Sequence, residues 1–338
     1  MRRKLGYIGL IMVCIAAVGA AFSYALGRAS ASPTRRGGQS EFQVVTSFYP
    51  IYIIVLNITE GVPGVKVHNL TANQTGCLHD YQLTTQDMRL LEQADVFFIN
   101  GGGMETFLEQ TARSLPDLPI LSSDKGIELL PGERSPYTDH ANEEGDANEE
   151  EHKGHVHSGE NAHIWMDPVR YQAQIRNLAD GLIALDPDHQ AIYEKNRDRY
   201  LEQVAEVAEE YQKAFLEREQ EPVLLFHEAF AYLAESVPLR VVQVIELEGE
   251  ERAFGAKELA ELIEEVRWHQ IRYLLVEETE ALGITGQEGT IVEAIAKEGG
   301  AEAVALDPLT TGGEHTASWL EGMRRNLEVL SSVVNRKK

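Results

Sequence analysis

In the stretch VLLFHEAF, residues 223–230, four apolar residues run directly into a histidine and a glutamate. Such a run is typical of a strand that is buried on both faces of a parallel sheet. Seven similar runs occupy residues 42–46, 65–70, 95–99, 118–121, 241–245, 271–276 and 303–306. Amphipathic segments separate the runs, with helices expected near 256–269 and 287–298. The sequence therefore predicts an α/β protein made of two lobes, each built from strand–helix–strand units.

A long helical pattern separates the two groups of strands. Asp186 and Pro187 are typical of a helix start, and neither Gly nor Pro follows until Pro222. Apolar residues recur at helical spacing at Tyr193, Tyr200, Val204, Val207, Tyr211 and Phe215. A helix of about 33 residues would be on the order of 50 Å long, so we interpret it as a rigid rod that joins the lobes. The alternative is a long surface helix of one lobe.

The predicted organisation has five parts. They are an export signal or anchor (1–31), a linker (32–40), an N-terminal lobe (41–185), a linking helix (186–219) and a C-terminal lobe (220–338). Arg2, Arg3 and Lys4 precede 22 residues without charge, which is typical of an export signal. The stretch is also long enough to span a bilayer, and Cys14 partly resembles a lipidation site. We therefore expect an extracytoplasmic protein, either periplasmic or tethered at the cell surface.

The charge balance narrows the classes of partner. The chain has 54 acidic against 30 basic residues and a net charge of −24, which excludes nucleic acid and leaves small cations. The segment 131–160 concentrates nine acidic residues and four histidines: His140, His152, His155 and His157. Its composition predicts a disordered loop that either collects metal weakly or is a solvated charge run.

Three further histidines follow strands or precede helices, which is where open α/β sheets place their ligands. His227 directly follows the run 223–226, and His163 precedes the helix-start signal at 167–168. His79 lies between the strand ending at residue 70 and a helix that Thr84 and Asp87 are expected to cap. Singly, each is more often a structural histidine, but together they predict a metal site. Each imidazole needs a hydrogen-bond acceptor on its other nitrogen, and Asp80, Asp167 and Glu228 are close in sequence.

Several motifs in a fixed order carry a family resemblance over residues 42–330. They are VVTSFYPIY (44–52), LHDYQLTTQDMRLLEQADVFFINGGGME (78–105), HIWMDP (163–168), FHEAFAYLAE (226–235) and LDPL (306–309). With these the chain resembles the metal-binding solute-binding proteins of ABC transporters, the cluster 9 family of zinc or manganese importers. The resemblance implies two lobes joined by a long helix, with metal held in the cleft by His79, His163 and His227. It also implies a membrane permease as partner and no enzymatic activity, and we expect a monomer.

The fourth ligand is left open by a departure from the family pattern. Thr310 stands where some members carry a carboxylate. We expect water there, with Glu314, Glu278, His315 and Cys77 as alternatives, although Cys77 is also readily explained as a small buried residue. Three imidazoles favour Zn²⁺, whereas Mn²⁺, the alternative cargo, prefers more oxygen ligands.

Two other functions fit some of these features. Three histidines around an open position also occur in zinc hydrolases, but no HExxH or similar base-bearing motif is present. A surface adhesion role is compatible with an acidic exported chain and with metal binding. The sequence therefore predicts a zinc receptor, with a manganese receptor or an adhesion protein as alternatives and a zinc hydrolase as a weaker one.

Overall fold

The computed structural model describes residues 41–72, 81–132, 159–245, 255–278 and 286–334, with side chains from residue 291 onward in the last range. Within these residues the chain forms two four-stranded sheets in which all strands are parallel. The first contains β1 (Phe42–Thr46), β2 (Val65–Asn69), β3 (Val96–Ile99) and β4 (Ile120–Ser122), and the second contains β5 (Glu221–Leu225), β6 (Leu239–Val244), β7 (Tyr273–Glu277) and β8 (Glu302–Leu306). All eight predicted strands are confirmed, with ends shifted by no more than two residues.

Helices connect the strands, as parallel pairing requires. They are α1 (Tyr49–Ile58), α2 (Thr85–Glu92), α3 (Leu108–Ser114), α4 (Pro168–Leu185), α5 (Gln190–Ala214), α6 (Phe230–Glu235), α7 (Ala256–Trp268), α8 (Gly286–Gly299) and α9 (Ser318–Val334). The expected capping box at the start of α2 is confirmed, because Thr84 and Asp87 bond each other's backbone N–H groups. None of the helices in the described ranges is both long and apolar enough to cross a membrane.

The two lobes have the same strand order. In the first sheet it is β2-β1-β3-β4, and in the second it is β6-β5-β7-β8. The order of the strands reverses direction between β1 and β3 in the first sheet and between β5 and β7 in the second. The chain therefore leaves the two strands of each pair toward opposite faces of the sheet. Open α/β sheets form their ligand crevice at such a reversal, which here corresponds to the carboxyl ends of β1 and β3 and those of β5 and β7.

Alternate residues of the central strands enter different hydrophobic clusters. Val44 belongs to a large cluster that contains Trp165 and Trp319, whereas its neighbour Val45 packs with Phe97 on the other face. This alternation follows from the pleat of a strand, and it explains why the strands read as continuous apolar runs. Helix α9 follows β8 of the second lobe but packs against α1 and α5, so the large cluster extends from one lobe into the other.

The long helix is present but shorter than predicted. Helix α5 has 25 residues, about 37 Å at 1.5 Å per residue, and a 3₁₀ turn over Pro187–His189 precedes it. The apolar residues that recur at helical spacing are buried, and the helix packs against α1, α4 and α9. The helix stops at Ala214 because the chain turns toward β5, with Glu217 in the left-handed region at φ 60°.

The side chain of Asp186 does not cap the helix as expected. It instead accepts hydrogen bonds from His189 Nδ1 at 2.6 Å and from Tyr193 Oη at 2.8 Å. The 3₁₀ turn and α5 are therefore joined through these side chains.

Several sequence predictions fall outside the described residues. They concern the N-terminal segment, most of the acidic loop, and the candidate residues Cys77 and His79. The domain boundaries at 185/186 and 219/220 stay predictions.

Candidate metal centre

His163 is held at the crevice of the first lobe. It is fully buried and precedes a 3₁₀ turn over Ile164–Met166, after which Asp167 caps α4 by accepting from Val169 N at 2.6 Å. Asn100, the residue after β3, donates from Nδ2 to the carbonyl of Ala162 at 2.8 Å. This bond ties the residue before His163 to the carboxyl end of β3.

The same crevice is stiffened by a buried carboxylate. Glu105 accepts from the backbone N–H groups of Asn100 at 2.7 Å and Gly101 at 3.1 Å. Burial raises the pKa of Glu105, although these backbone N–H groups oppose the shift. The turn at Asn100, which holds the segment before His163, is therefore itself held in place by the Glu105 carboxylate.

His227 occupies the matching place in the second lobe. It follows β5, and only 2% of it is exposed. Leu225 of β5 pairs with Leu275 of β7, so two residues further on His227 lies beside Glu277. The distance from His227 Nδ1 to Glu277 Oε2 is 3.8 Å.

The two imidazoles face each other between the lobes. Their ring centroids are 5.0 Å apart with the ring planes at 78°. Two imidazoles bound to one tetrahedral zinc through nitrogens at about 2.0–2.1 Å have centroids about 5 Å apart, so the pair fits a shared ion. Trp165 packs against His163 at 5.1 Å and Phe230 against His227 at 5.9 Å, which limits the movement of both rings.

Asn161 determines which nitrogen of His163 carries the hydrogen. Its Oδ1 accepts from the backbone N of His163 at 3.0 Å and lies 2.9 Å from the imidazole Nδ1. A backbone N–H can only donate, so the Asn161 atom facing it is the oxygen. The imidazole Nδ1 must then donate as well, which leaves the lone pair on Nε2 for a metal. Glu228 Oε1, 3.6 Å from the same Nδ1, favours the same tautomer.

The candidate ligands are only partly brought together. His163 and His227 meet, whereas Glu278, Glu314 and His315 are exposed, and Thr310 is buried. Among the residues with described side chains, no three His, Cys, Asp or Glu converge as a metal site. His79, Cys77, His140, His152, His155 and His157 lie outside the described residues.

Two polar residues beside the imidazoles are absent from the sequence-based candidates. Asn161 is two residues before His163, and the only signal for it is this short spacing. Glu277 is detectable from strand register, because the carboxyl ends of neighbouring parallel strands meet. Of the acceptors suggested by proximity, Glu228 faces His163, while Asp167 caps α4 and pairs with Arg170 at 2.6 Å.

Comparison with known proteins identifies the family. A family model described as the zinc-uptake complex component A, periplasmic (ZnuA), matches residues 44–333. The chain belongs to this family. The resemblance seen in the sequence motifs is thereby confirmed.

Two relatives of known name differ in how much of their length this chain covers. The chain is 25% identical to the high-affinity zinc uptake system protein ZnuA of Bacillus subtilis, with 98% of both chains covered. It is 27% identical to the zinc-binding protein AdcA of Streptococcus pyogenes over 86% of this chain, but spans only 56% of that relative.

A solved structure has the same fold. The Zn(II)-bound ZnuA-like domain of Streptococcus pneumoniae AdcA superposes with a TM-score of 0.68 at 23% identity, covering 88% of this chain and all of that domain.

Proposed function

We propose that this protein is an extracytoplasmic receptor that binds one Zn²⁺ ion between its lobes and delivers it to the permease of an ABC importer. The observation that carries the proposal is the pair His163 and His227, one from each lobe, with centroids 5.0 Å apart. Membership of a zinc-uptake family supports the same cargo. The proposed role consists of coordination and release, and it includes no covalent step.

His79 is the proposed third ligand. In the sequence it follows β2, and β2 runs parallel to β1, so the chain leaves β2 at the carboxyl end of the first sheet, the end to which Asn100 ties the residue before His163. Three neutral imidazoles and a water would complete the tetrahedral set that zinc prefers. Because the cargo is held by residues from both lobes, separation of the lobes at the permease would remove a ligand and release the ion.

Metal analysis of the purified protein, followed by competitive titration with Zn²⁺ and Mn²⁺ against a chelator, tests this proposal. We expect one zinc ion per chain in the tight site. His163→Ala or His227→Ala should each weaken the zinc affinity of that site by orders of magnitude, because few ligands remain. His269→Ala is the matched control, since His269 pairs with Glu265 at 3.1 Å at the end of α7, and it should bind like wild type. Unchanged affinity in either cleft variant, or a preference for Mn²⁺, would contradict the proposal.

A further inference from the structure

We infer that Asn161 is a positioning residue that sets the spacing of the two cleft histidines by joining the lobes with one side-chain amide. The inference rests on the proposed function, because its consequence is a change in zinc affinity. Asn161 is fully buried, and both ends of its amide group are used.

The oxygen end acts on the first lobe. Asn161 Oδ1 accepts from the backbone N–H and from the imidazole Nδ1 of His163, at 3.0 and 2.9 Å. Together these bonds fix the tautomer and the rotation of the ring. The metal-binding nitrogen therefore points in one direction before any ion arrives.

The nitrogen end acts on the second lobe. Asn161 Nδ2 donates to the carbonyl of Glu228 at 2.8 Å, and Glu228 is the residue directly after His227. The backbone carbonyl of Asn161 also accepts from Tyr232 Oη at 2.7 Å, and Tyr232 lies on α6, which follows His227. One residue is thus attached to His163 on one side and to the His227 turn on the other.

Only an uncharged amide of this length can make both attachments. An aspartate would keep the acceptor toward His163 but place a carboxylate oxygen against the Glu228 carbonyl, which cannot donate. Alanine would lose both side-chain attachments and leave the part-buried Glu228 carbonyl with the backbone N–H of Ala231, at 3.0 Å, as its donor. Because the amide orients the His163 ring and holds the turn that carries His227 before binding, its loss leaves this ordering to be paid from the free energy of zinc binding.

The test compares Asn161→Ala and Asn161→Asp with wild type in chelator-competition titrations with Zn²⁺ at pH 8. Removing a residue that orients a metal ligand typically weakens metal affinity about 10–100-fold, and we expect this for Asn161→Ala. Asn161→Asp should fall between Asn161→Ala and wild type, because half of the bridge remains. Asn196→Ala is the matched control, since Asn196 is a buried amide that bonds the carbonyls of Ile58 and Glu60, away from both histidines. It should bind zinc like wild type.

A second readout separates positioning from a general loss of structure. In the metal-free protein, ¹⁵N spectra of the His163 ring should show hydrogen on Nδ1 in wild type and in Asn161→Asp, and a mixture of tautomers in Asn161→Ala. Wild-type affinity in Asn161→Asp overturns the inference, as does an equal loss of affinity in Asn196→Ala. If Asn161→Ala does not fold, Asn161→Asp alone decides. Failure of the proposed function is recognised separately, because wild type and His227→Ala would then bind zinc equally.

Discussion

The indole Nε1 of Trp165 donates a 2.7 Å hydrogen bond to the carbonyl of Pro308, joining the 3₁₀ turn that follows His163 to the loop after β8 of the second lobe. The carbonyl of Trp165 in turn accepts from the indole of Trp319 at 3.1 Å. Trp319 stacks on Tyr171 of α4 with ring centroids 4.1 Å apart. The lobes are therefore connected behind the histidine pair by a buried aromatic network.

The first prediction concerns this network. Trp165→Phe removes the donor to Pro308, and an unmet buried acceptor costs about 1–3 kcal/mol, so the free energy of unfolding should fall by about that amount. Trp268→Phe is the control, because Trp268 is 82% exposed and its change should stay within about 0.5 kcal/mol. Denaturant titration of both variants measures the difference. Equal stability of the two variants would show that the hydrogen bond contributes nothing.

The second prediction separates two neighbouring glutamates. Glu277 Oε2 lies 3.8 Å from His227 Nδ1, whereas Glu278 is exposed. A negative carboxylate facing Nδ1 favours the tautomer with the hydrogen on that nitrogen, which leaves Nε2 for the metal. We therefore expect Glu277→Gln to weaken zinc affinity about tenfold and Glu278→Gln to leave it unchanged in a competition titration. The reverse result would assign the fourth ligand to Glu278.

The third prediction is a pH dependence of stability. Burial raises the pKa of Tyr232 from 10.0 to about 12. Between these pKa values the folded chain keeps a proton that the unfolded chain loses. The contribution of Tyr232 to the free energy of unfolding is therefore complete below about pH 10 and is lost as the pH rises toward 12. The stability advantage of wild type over Tyr232→Phe should shrink across that window in denaturant titrations. A constant advantage would mean that Tyr232 titrates at its ordinary pKa in the folded protein.

The fourth prediction concerns the acidic segment. Pro131 and Glu160 form an antiparallel bridge, and Gly132 N donates to Gly159 O at 3.0 Å, so the two flanks of the segment are adjacent. Replacing residues 133–158 with Asn-Gly, a favoured two-residue turn, should preserve the fold and the tight site. Calorimetry should show fewer weak zinc sites and an unchanged tight phase. Loss of the tight phase would place a primary ligand in the segment.

The strands, and the residues that directly follow them, can be predicted from the sequence alone. Apolar runs such as 223–226 reveal buried parallel strands, and the order of strands places His227 at a carboxyl edge. The partners of the histidines needed tertiary information. Asn161 acts by reaching Glu228 of the other lobe, which no local pattern encodes, and the choice between Glu277 and Glu278 depends on strand register. The sequence does not reveal that α5 ends at Ala214, because the polar continuation to residue 219 contains no Gly or Pro.

The central claim is that imidazoles from both lobes hold one zinc ion. Zinc K-edge X-ray absorption of the protein loaded with one equivalent of Zn²⁺ tests it most directly. We expect a first shell of nitrogen and oxygen at about 2.0–2.1 Å with the outer-shell scattering of three imidazoles, which falls to two in His163→Ala or His227→Ala. A sulfur shell at about 2.3 Å, or an oxygen shell without imidazole scattering, would contradict the account.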